Sequence, residues 1–378
     1  QRASDIHIEP KRIHSQIRLR IDGILHNIHR MPRSVNAAIT SRIKTLSRMD
    51  IAEKRRPQDG RIKTRFQNRD IELRVSTMPV AFDEKIVIRI LDRATLVQSI
   101  EELGFASEEA QQYQTFISKS NGIILITGPT GSGKTTTLYS TLDKLATEEV
   151  NIMTIEEPIE MLHEQLNQIA VQPNVGLNFA SALRNIVRQD PDIIMVGEIR
   201  DHETVENAIH AAFTGHLVFS TLHTNDAPSA IARLVDMGAE PFLVESTLIA
   251  VLAQRLVRKI CNTCRQPYTP SKQDILALNL PSEEIRAAQF FHGAGCNRCR
   301  GTGYHGRIAI FEVMPVSEEI RNLIHHNSSA QDIKKMARKE GMHTLRESAI
   351  AKLKAGITTV EEVLRVTGRH DRELTIDY

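Results

Sequence analysis

Gly128-Pro129-Thr130-Gly131-Ser132-Gly133-Lys134-Thr135 reads G-x-x-x-x-G-K-T. The apolar run Ile123-Ile124-Leu125-Ile126 leads into it, and a polar, helix-competent run from Thr136 to Ala146 leads out, so the order is strand, loop, helix. Phosphate binding needs that order. Glycines let successive backbone N–H groups turn toward one anion, and the following helix presents its positive N-terminal end to it. Gly128 through Thr136 are therefore the expected cradle of a nucleotide, with Lys134 reaching the β- and γ-phosphates and the Thr135 hydroxyl ligating Mg²⁺. A glycine-rich turn that binds nothing is the bland alternative, and the flanking strand and helix argue against it.

Downstream, Asn151-Ile152-Met153-Thr154-Ile155-Glu156-Glu157-Pro158-Ile159-Glu160 is a strand ending in carboxylates. The C-terminal edge of a parallel sheet would put Glu156 and Glu157 beside the phosphates, where they are candidates for holding a metal's water shell. Val187 to Asp201 is more specific: after Arg188-Gln189-Asp190-Pro191 comes an apolar strand, Ile193-Ile194-Met195-Val196, ending at Gly197-Glu198. Such a strand, expected beside the P-loop strand, ends in an acid that holds Mg²⁺ or orients the attacking water, and Glu198 is placed for that work. Thr214 to Asn225 adds a core strand with His216 before it and His223 after it. A lone histidine is usually structural; two around one strand favour a functional reading.

Upstream, Ile13, Ile17, Leu19 and Ile21 alternate with mostly polar residues as a half-buried strand does, and Asp22-Gly23 is a hairpin turn. Val35, Ala38, Ile39, Ile43 and Leu46 have the spacing of one helix face, and further strands run through Ile71 to Val75 and Ile86 to Leu91. Arg74 and Arg89 interrupt those last two strands. An unpaired buried guanidinium is very costly, so each meets an anion, lies under another domain, or occupies an exposed strand face.

The 378 residues suffice for two or three domains, and 41% hydrophobic with 25% charged residues is a globular composition. No apolar run approaches the roughly 18 residues of a membrane span. A signal-peptide pattern is absent, and a start at Gln1 rather than Met marks the chain as an expected fragment. The net charge of +2 is unevenly spread: residues 1–98 hold 21 Lys and Arg against 11 Asp and Glu, and the remainder holds 27 against 35. A basic first domain suits docking on the acidic remainder, an anionic partner, or a solvated face.

All four cysteines lie in two pairs, Cys261-Asn262-Thr263-Cys264 and Cys296-Asn297-Arg298-Cys299. Two C-x₂-C knuckles supply four thiolates to a closed, structural Zn²⁺ site, and the surrounding glycines permit the sharp turns. Two disulfides or a redox pair are the rival, without a secretory or thioredoxin-like context to support them.

Over essentially the whole chain, from Ala3-Ser4-Asp5-Ile6-His7-Ile8-Glu9-Pro10 to Gly356-Ile357-Thr358-Thr359, the sequence resembles the secretion or traffic ATPases, the assembly motors of type II secretion and type IV pili (the GspE/PilB family). Its most specific motif is Arg188 to Asp201, with the Gly-Glu-Ile-Arg-Asp ending. The resemblance implies that the P-loop binds ATP and that Glu156 and Glu157 fall in the Asp box. Glu198 would be the Walker B acid, His216 and His223 the His box, and Arg74 and Arg89 arginines given by the first domain to the ATP phosphates. The Asp box here reads Glu-Glu-Pro where Glu-Asp-Pro is commoner; the longer side chain alters the metal geometry. Assembly-type motors carry such a tetracysteine site, whereas retraction relatives generally lack it. The resemblance further implies a homo-hexamer, cytoplasmic and peripheral at the inner membrane, docked on an inner-membrane platform protein and extending a pilus or pseudopilus.

The expected fold is α/β: a RecA-like P-loop ATPase domain with a small N-terminal α+β (PAS-like) domain, a tetracysteine zinc subdomain and a helical C-terminal region. The boundaries are 1–98, a linker at 99–106, 107–255, 256–312 and 313–378. Two competing functions remain. A RecA-like nucleic-acid translocase fits the basic first domain, but that domain has only Phe66 and Phe82 as stacking aromatics, so no direct nucleic acid is expected. A nucleotide-gated adaptor would bind ATP without turning it over.

Overall fold

The computed structural model describes residues 3–66, 69–92 and 96–368. It divides into two compact units, Gln1–Leu96 and Val97–Tyr378. The last ten residues of the expected C-terminal region lie outside the described part.

The first unit is a six-stranded antiparallel sheet with one helix. Its strands are β1 (Ala3–Pro10), β2 (His14–Ile21), β3 (Ile24–Pro32), β4 (Gln58–Phe66), β5 (Arg69–Val80) and β6 (Asp83–Asp92), ordered β3-β2-β1-β6-β5-β4, and α1 spans Arg33–Leu46. Asp22 and Gly23 both take positive φ, 49° and 86°, as a two-residue hairpin turn between right-twisted strands requires. Alternation puts Ile6, Ile8, Val75, Ile86 and Ile88 on one face, where Met31 and Met49 close the core. On the other face, register aligns Arg20, Asp5, Arg89, Arg74 and Arg61 in one row across five strands.

Helix α1 lies where its periodicity predicts, and Ile39 and Ile43 of the expected face pack on the core, but the buried face is shifted around the helix. Val35 and Leu46 are exposed while Asn36, Thr40 and Lys44 are buried. The cause is polar. Lys44 is paired with Glu84 and bonded to the Glu53 carbonyl, and Asn36 bridges Ser15 and Asp83. A buried cation keeps its place only with such partners.

In the second unit, α2 (Ile100–Leu103) and α3 (Ser107–Ile117) precede β7 (Gly122–Thr127). Then follow α4 (Lys134–Leu145), β8 (Ile152–Glu156), β9 (Asn167–Ala170), α5 (Phe179–Ile186), β10 (Ile193–Val196), α6 (His202–Phe213), β11 (Leu217–Leu222), α7 (Ala227–Asp236), α8 (Pro241–Thr247) and β12 (Leu248–Ile260). After a small ribbon of β13 (Arg265–Pro267) and β14 (Phe291–Gly293), with α9 (Lys272–Leu278) and α10 (Ser282–Ala287) between them, β15 (Tyr304–Pro315) returns to the main sheet. Helices α11 (Glu318–His325), α12 (Ala330–Lys339), α13 (Leu345–Lys354) and α14 (Val360–Thr367) complete the chain.

The main sheet runs β15-β12-β7-β11-β10-β8-β9, parallel except for β15. Residues of β7, β8, β10 and β11 are buried throughout, which is why they read as continuous apolar runs rather than alternations. One expectation is corrected: the strand ending in Glu198 is not beside the P-loop strand. β11 lies between them, paired to both, so the two strands reach the same edge one position apart.

Candidate functional site

The C-terminal edge of the parallel strands carries the site. β7 ends at Thr127 and the chain enters the loop Gly128–Gly133, where Gly128, Gly131 and Gly133 hold φ of 151°, 80° and 93°, a region that disfavours any side chain. Gly128 is also constrained by space, since a Cβ there would stand 2.4 Å from the Gln254 carbonyl oxygen. Lys134 opens α4 and folds back over the loop, its Nζ donating to the Gly128 oxygen at 2.6 Å and the Pro129 oxygen at 3.4 Å. Thr127 Oγ1 and Thr224 Oγ1 meet at 2.7 Å and tie the loop's base to the residues after β11.

Three neighbouring parallel strands bring the acids together. Ile155 of β8, Val196 of β10 and Ser220 of β11 are in register, so Glu157, Glu198 and His223 each follow just past one strand end. The Thr221 hydroxyl donates to the Gly197 oxygen at 2.8 Å and the Gly197 N–H to the Ile155 oxygen at 2.8 Å, which fixes the backbone under Glu198. Glu198, 17% exposed, faces His223 Nε2 at 3.5 Å and is bonded to Arg200. The same guanidinium reaches Glu157 at 3.1 Å and so joins the two carboxylates. A divalent cation among such oxygens would compete with Arg200 for their charge.

Two expected members stand elsewhere. Glu156 is 4% exposed, and its carboxylate accepts from the Tyr139 hydroxyl at 2.6 Å, the Thr154 hydroxyl at 2.8 Å and the Gln168 amide at 3.2 Å. It is committed to the core between α4 and β9, not to the group around Glu198. His216 precedes β11, whose first residue Leu217 is level with Gly122 at the start of β7, and its Nδ1 lies 2.7 Å from the Ala211 oxygen. A strand rise of about 3.3 Å per residue leaves it roughly 20 Å from the P-loop edge that His223 occupies. A histidine at each end of one strand cannot serve one site.

In the first unit Arg74 and Arg89 are direct cross-strand neighbours on the face away from the core. Arg89 Nε donates to Asp5 Oδ1 at 3.1 Å, and Arg20 Nε lies 3.7 Å from the other oxygen of the same carboxylate. Asp5, Arg200 and Gln254 were assigned no role from sequence. Arg200 stands two residues after Glu198, and Gln254 and Arg255 together interrupt the apolar run Leu248 to Leu256. Polar residues in an otherwise apolar strand are the same signal that singled out Arg89.

The four cysteines converge, with their sulfur atoms all within 4.8 Å of one another. Cys261 and Cys296 are 3.8 Å apart, Cys264 and Cys299 3.7 Å, and Cys296 and Cys299 3.7 Å. A disulfide needs about 2.05 Å, whereas Zn–S bonds of about 2.3 Å make a tetrahedron whose edge is about 3.8 Å. The donor set and spacing fit zinc. Burial raises the Cys299 thiol, but N–H donors from Cys296 and Gly303 outweigh it and pull the group down, whereas burial and the neighbouring sulfurs push Cys264 up, so the four thiols do not ionise alike. Among the described residues no helix is long and apolar enough to cross a membrane.

Comparison with known proteins adds sequence kinship to this geometry. A type IV pilus assembly ATPase, TfpB of Acinetobacter baylyi, is 51% identical over 367 residues, covering 97% of this chain and 63% of its own length. A type II secretion system protein E of Dickeya dadantii is 47% identical over 366 residues, covering 97% of this chain and 72% of that protein. This chain thus spans less than two thirds of the first relative. Among solved structures, the crystal structure of the pilus retraction motor PilT with bound ADP superposes with a TM-score of 0.64 at 26% identity, over 96% of this chain and 93% of that one. The family model described as "Type II/IV secretion system protein" matches residues 1–365, a span that contains both the phosphate-loop edge and the cysteine tetrad, and the chain belongs to that family.

Proposed function

We propose that this chain is the ATP-hydrolysing part of a Mg²⁺-dependent motor that powers type IV pilus assembly or type II protein secretion. The observation that carries the reading is the convergence of the P-loop, Glu157, Glu198 and His223 at one sheet edge. The names of the relatives as pilus assembly ATPases and secretion proteins support it. In this reading the chain forms a homo-hexamer, cytoplasmic and peripheral at the inner membrane, working on a platform protein. The second unit comprises a linker at 99–106, a RecA-like core at 107–255, a zinc subdomain at 256–312 and a helical region from 313; residues 1–98 form a PAS-like domain.

The P-loop N–H groups and Lys134 hold the phosphates, and Thr135, supported by Glu157, holds the metal. Mg²⁺, when bound, neutralises phosphate charge and lends Lewis acidity. Glu198 takes or orients the proton of the attacking water, His223 senses the γ-phosphate, and Arg74 and Arg89 stabilise developing negative charge. Arg89→Ala is expected to lower phosphate release at saturating Mg·ATP at least tenfold, with a small fall in melting from the lost Asp5 pair; an unchanged rate would remove that arginine from the chemistry. Measuring the same release with DNA or RNA at low salt tests the class of motor. Stimulation that fades with salt would indicate a nucleic-acid translocase instead.

The lysine supplies a further test. Burial pushes the Lys134 ammonium down from 10.5 to about 8, against an upward pull from Glu198. The empty fold therefore binds fewer protons here than the unfolded chain does, so this group favours stability increasingly as pH rises from about 8 to 10.5. Phosphate favours the charged form, and binding takes up a proton. ATP affinity should fall above pH 8 by up to about tenfold per unit. Calorimetry in buffers of different ionisation enthalpy checks this; Lys134→Arg should abolish the uptake.

A further inference from the structure

β12 is the parallel neighbour of β7, with Ala253 level with Thr127, so the next residue, Gln254, stands beside the first residue of the phosphate loop. Gln254 is 1% exposed, among Val251, Leu252 and Ala253, which are fully buried. Three of its groups face the loop. Its carbonyl oxygen would lie 2.4 Å from a Cβ on Gly128, the first glycine. Its side-chain nitrogen would lie 2.8 Å from a Cβ on Gly133, the last. Its Oε1 accepts from the Thr137 hydroxyl at 2.9 Å, in the first turn of α4. One residue thus brackets the loop at both ends and pins the helix whose N-terminus faces the anion.

We propose that Gln254 is a positioning residue for the phosphate-binding loop: it packs against the two end glycines and bonds the start of α4, and so keeps the loop in the shape that receives the phosphates. Lys134 also bonds the Gly128 and Pro129 carbonyls, but its ammonium is the group that a phosphate would engage, whereas the Gln254 side chain has no charge to offer a phosphate. The amide suits the task chemically. It is neutral, so it neither pairs with Lys134 nor repels phosphate, and it offers an acceptor to Thr137 together with donors toward Gly133. The inference rests on the reading that the loop binds a nucleotide.

The test compares wild type, Gln254→Leu, Gln254→Leu with Thr137→Val, Thr137→Val alone, and Gln254→Glu, all as the full chain. Mg·ADP affinity, KM and kcat for ATP, and melting without nucleotide are read for each. Gln254→Leu should weaken Mg·ADP binding at least tenfold and raise KM in proportion. The double variant replaces both ends of the lost hydrogen bond by apolar groups, so its melting should return toward wild type while the tenfold loss remains. Gln254→Glu keeps the acceptor for Thr137 but puts an unpaired carboxylate into a site that is 1% exposed, so both its melting and its affinity should fall. A purely structural glutamine would move affinity and melting together. Recovery of both in the double variant, or wild-type affinity in Gln254→Glu, overturns the proposal; if the Gln254 variants do not fold, Thr137→Val alone decides, since it removes the bond between α4 and Gln254 and wild-type Mg·ADP affinity in it overturns the proposal. Wild-type protein that binds no Mg·ADP would remove the functional reading itself; wild-type binding matched by every variant removes only this inference.

Discussion

Glu198→Gln is expected to lower ATP turnover by about 10³-fold while Mg·ADP affinity stays within a few fold of wild type. The substitution keeps shape and one acceptor oxygen, so the bond from Arg200 and the backbone fixed by Thr221 and Gly197 survive. What it removes is the group able to take a proton from water. General-base catalysis is worth roughly 10²- to 10⁴-fold, and this carboxylate is the one in the cluster that faces both Arg200 and His223. Phosphate release in single turnover, measured beside calorimetric Mg·ADP binding, separates chemistry from affinity. Equal rates would take Glu198 out of the reaction and leave a protein gated by nucleotide without consuming it. A joint loss of rate and affinity would show that the glutamine had disturbed the Arg200 bridge to Glu157 instead.

Local physics explains which features were legible in the sequence. The P-loop, the Asp22-Gly23 turn and the two cysteine knuckles are set by residues a few positions apart, and their backbone demands appear directly in the glycines. The buried strands were equally plain, since a strand covered on both faces has nothing to alternate. Long-range polar bonds were not legible. Gln254 meets Thr137 across 117 positions and Arg200 meets Glu157 across 43, and no short spacing announces either. For the same reason the edges of the α1 face are not legible: Ile39 and Ile43 pack on the core as their spacing implies, but Lys44 and Asn36 are buried beside them because Glu84, Ser15 and Asp83 partner them. His216 and Glu156 were drawn toward the site by their nearness in sequence to His223 and Glu157. Strand geometry separates the first pair by a strand's length, and the hydrogen bonds of Tyr139, Thr154 and Gln168 claim Glu156.

Removing the metal from the cysteine tetrad should have a large effect on stability. Most other bonds of the knuckles are local turns; between the two knuckle regions the Cys261 N–H donates to the Gly303 oxygen at 2.9 Å and the Ala294 N–H to the Cys264 oxygen at 2.8 Å. Backbones approach so closely there that a Cβ on Gly293 would lie 2.0 Å from the Gly303 oxygen. Four sulfurs at tetrahedral spacing, with N–H donors at Cys299 that outweigh the effect of burial, describe a site that a cation would close. Structural zinc contributes on the order of 10 kcal/mol in small domains. Loss of even about 3 kcal/mol would lower melting by roughly 6 °C or more in a unit of this size. Chelation should release one zinc per chain, and Cys264→Ser should melt well below wild type in the presence of added zinc. β12 runs from Gln254 beside the phosphate loop to Ile260 next to Cys261, and Arg258 on the way is anchored to Glu362. A loosened knuckle is therefore expected to weaken nucleotide binding as well, by less than Gln254→Leu does. Purified protein that yields no zinc, or a serine variant with unchanged melting, would show that the four sulfurs meet for packing alone.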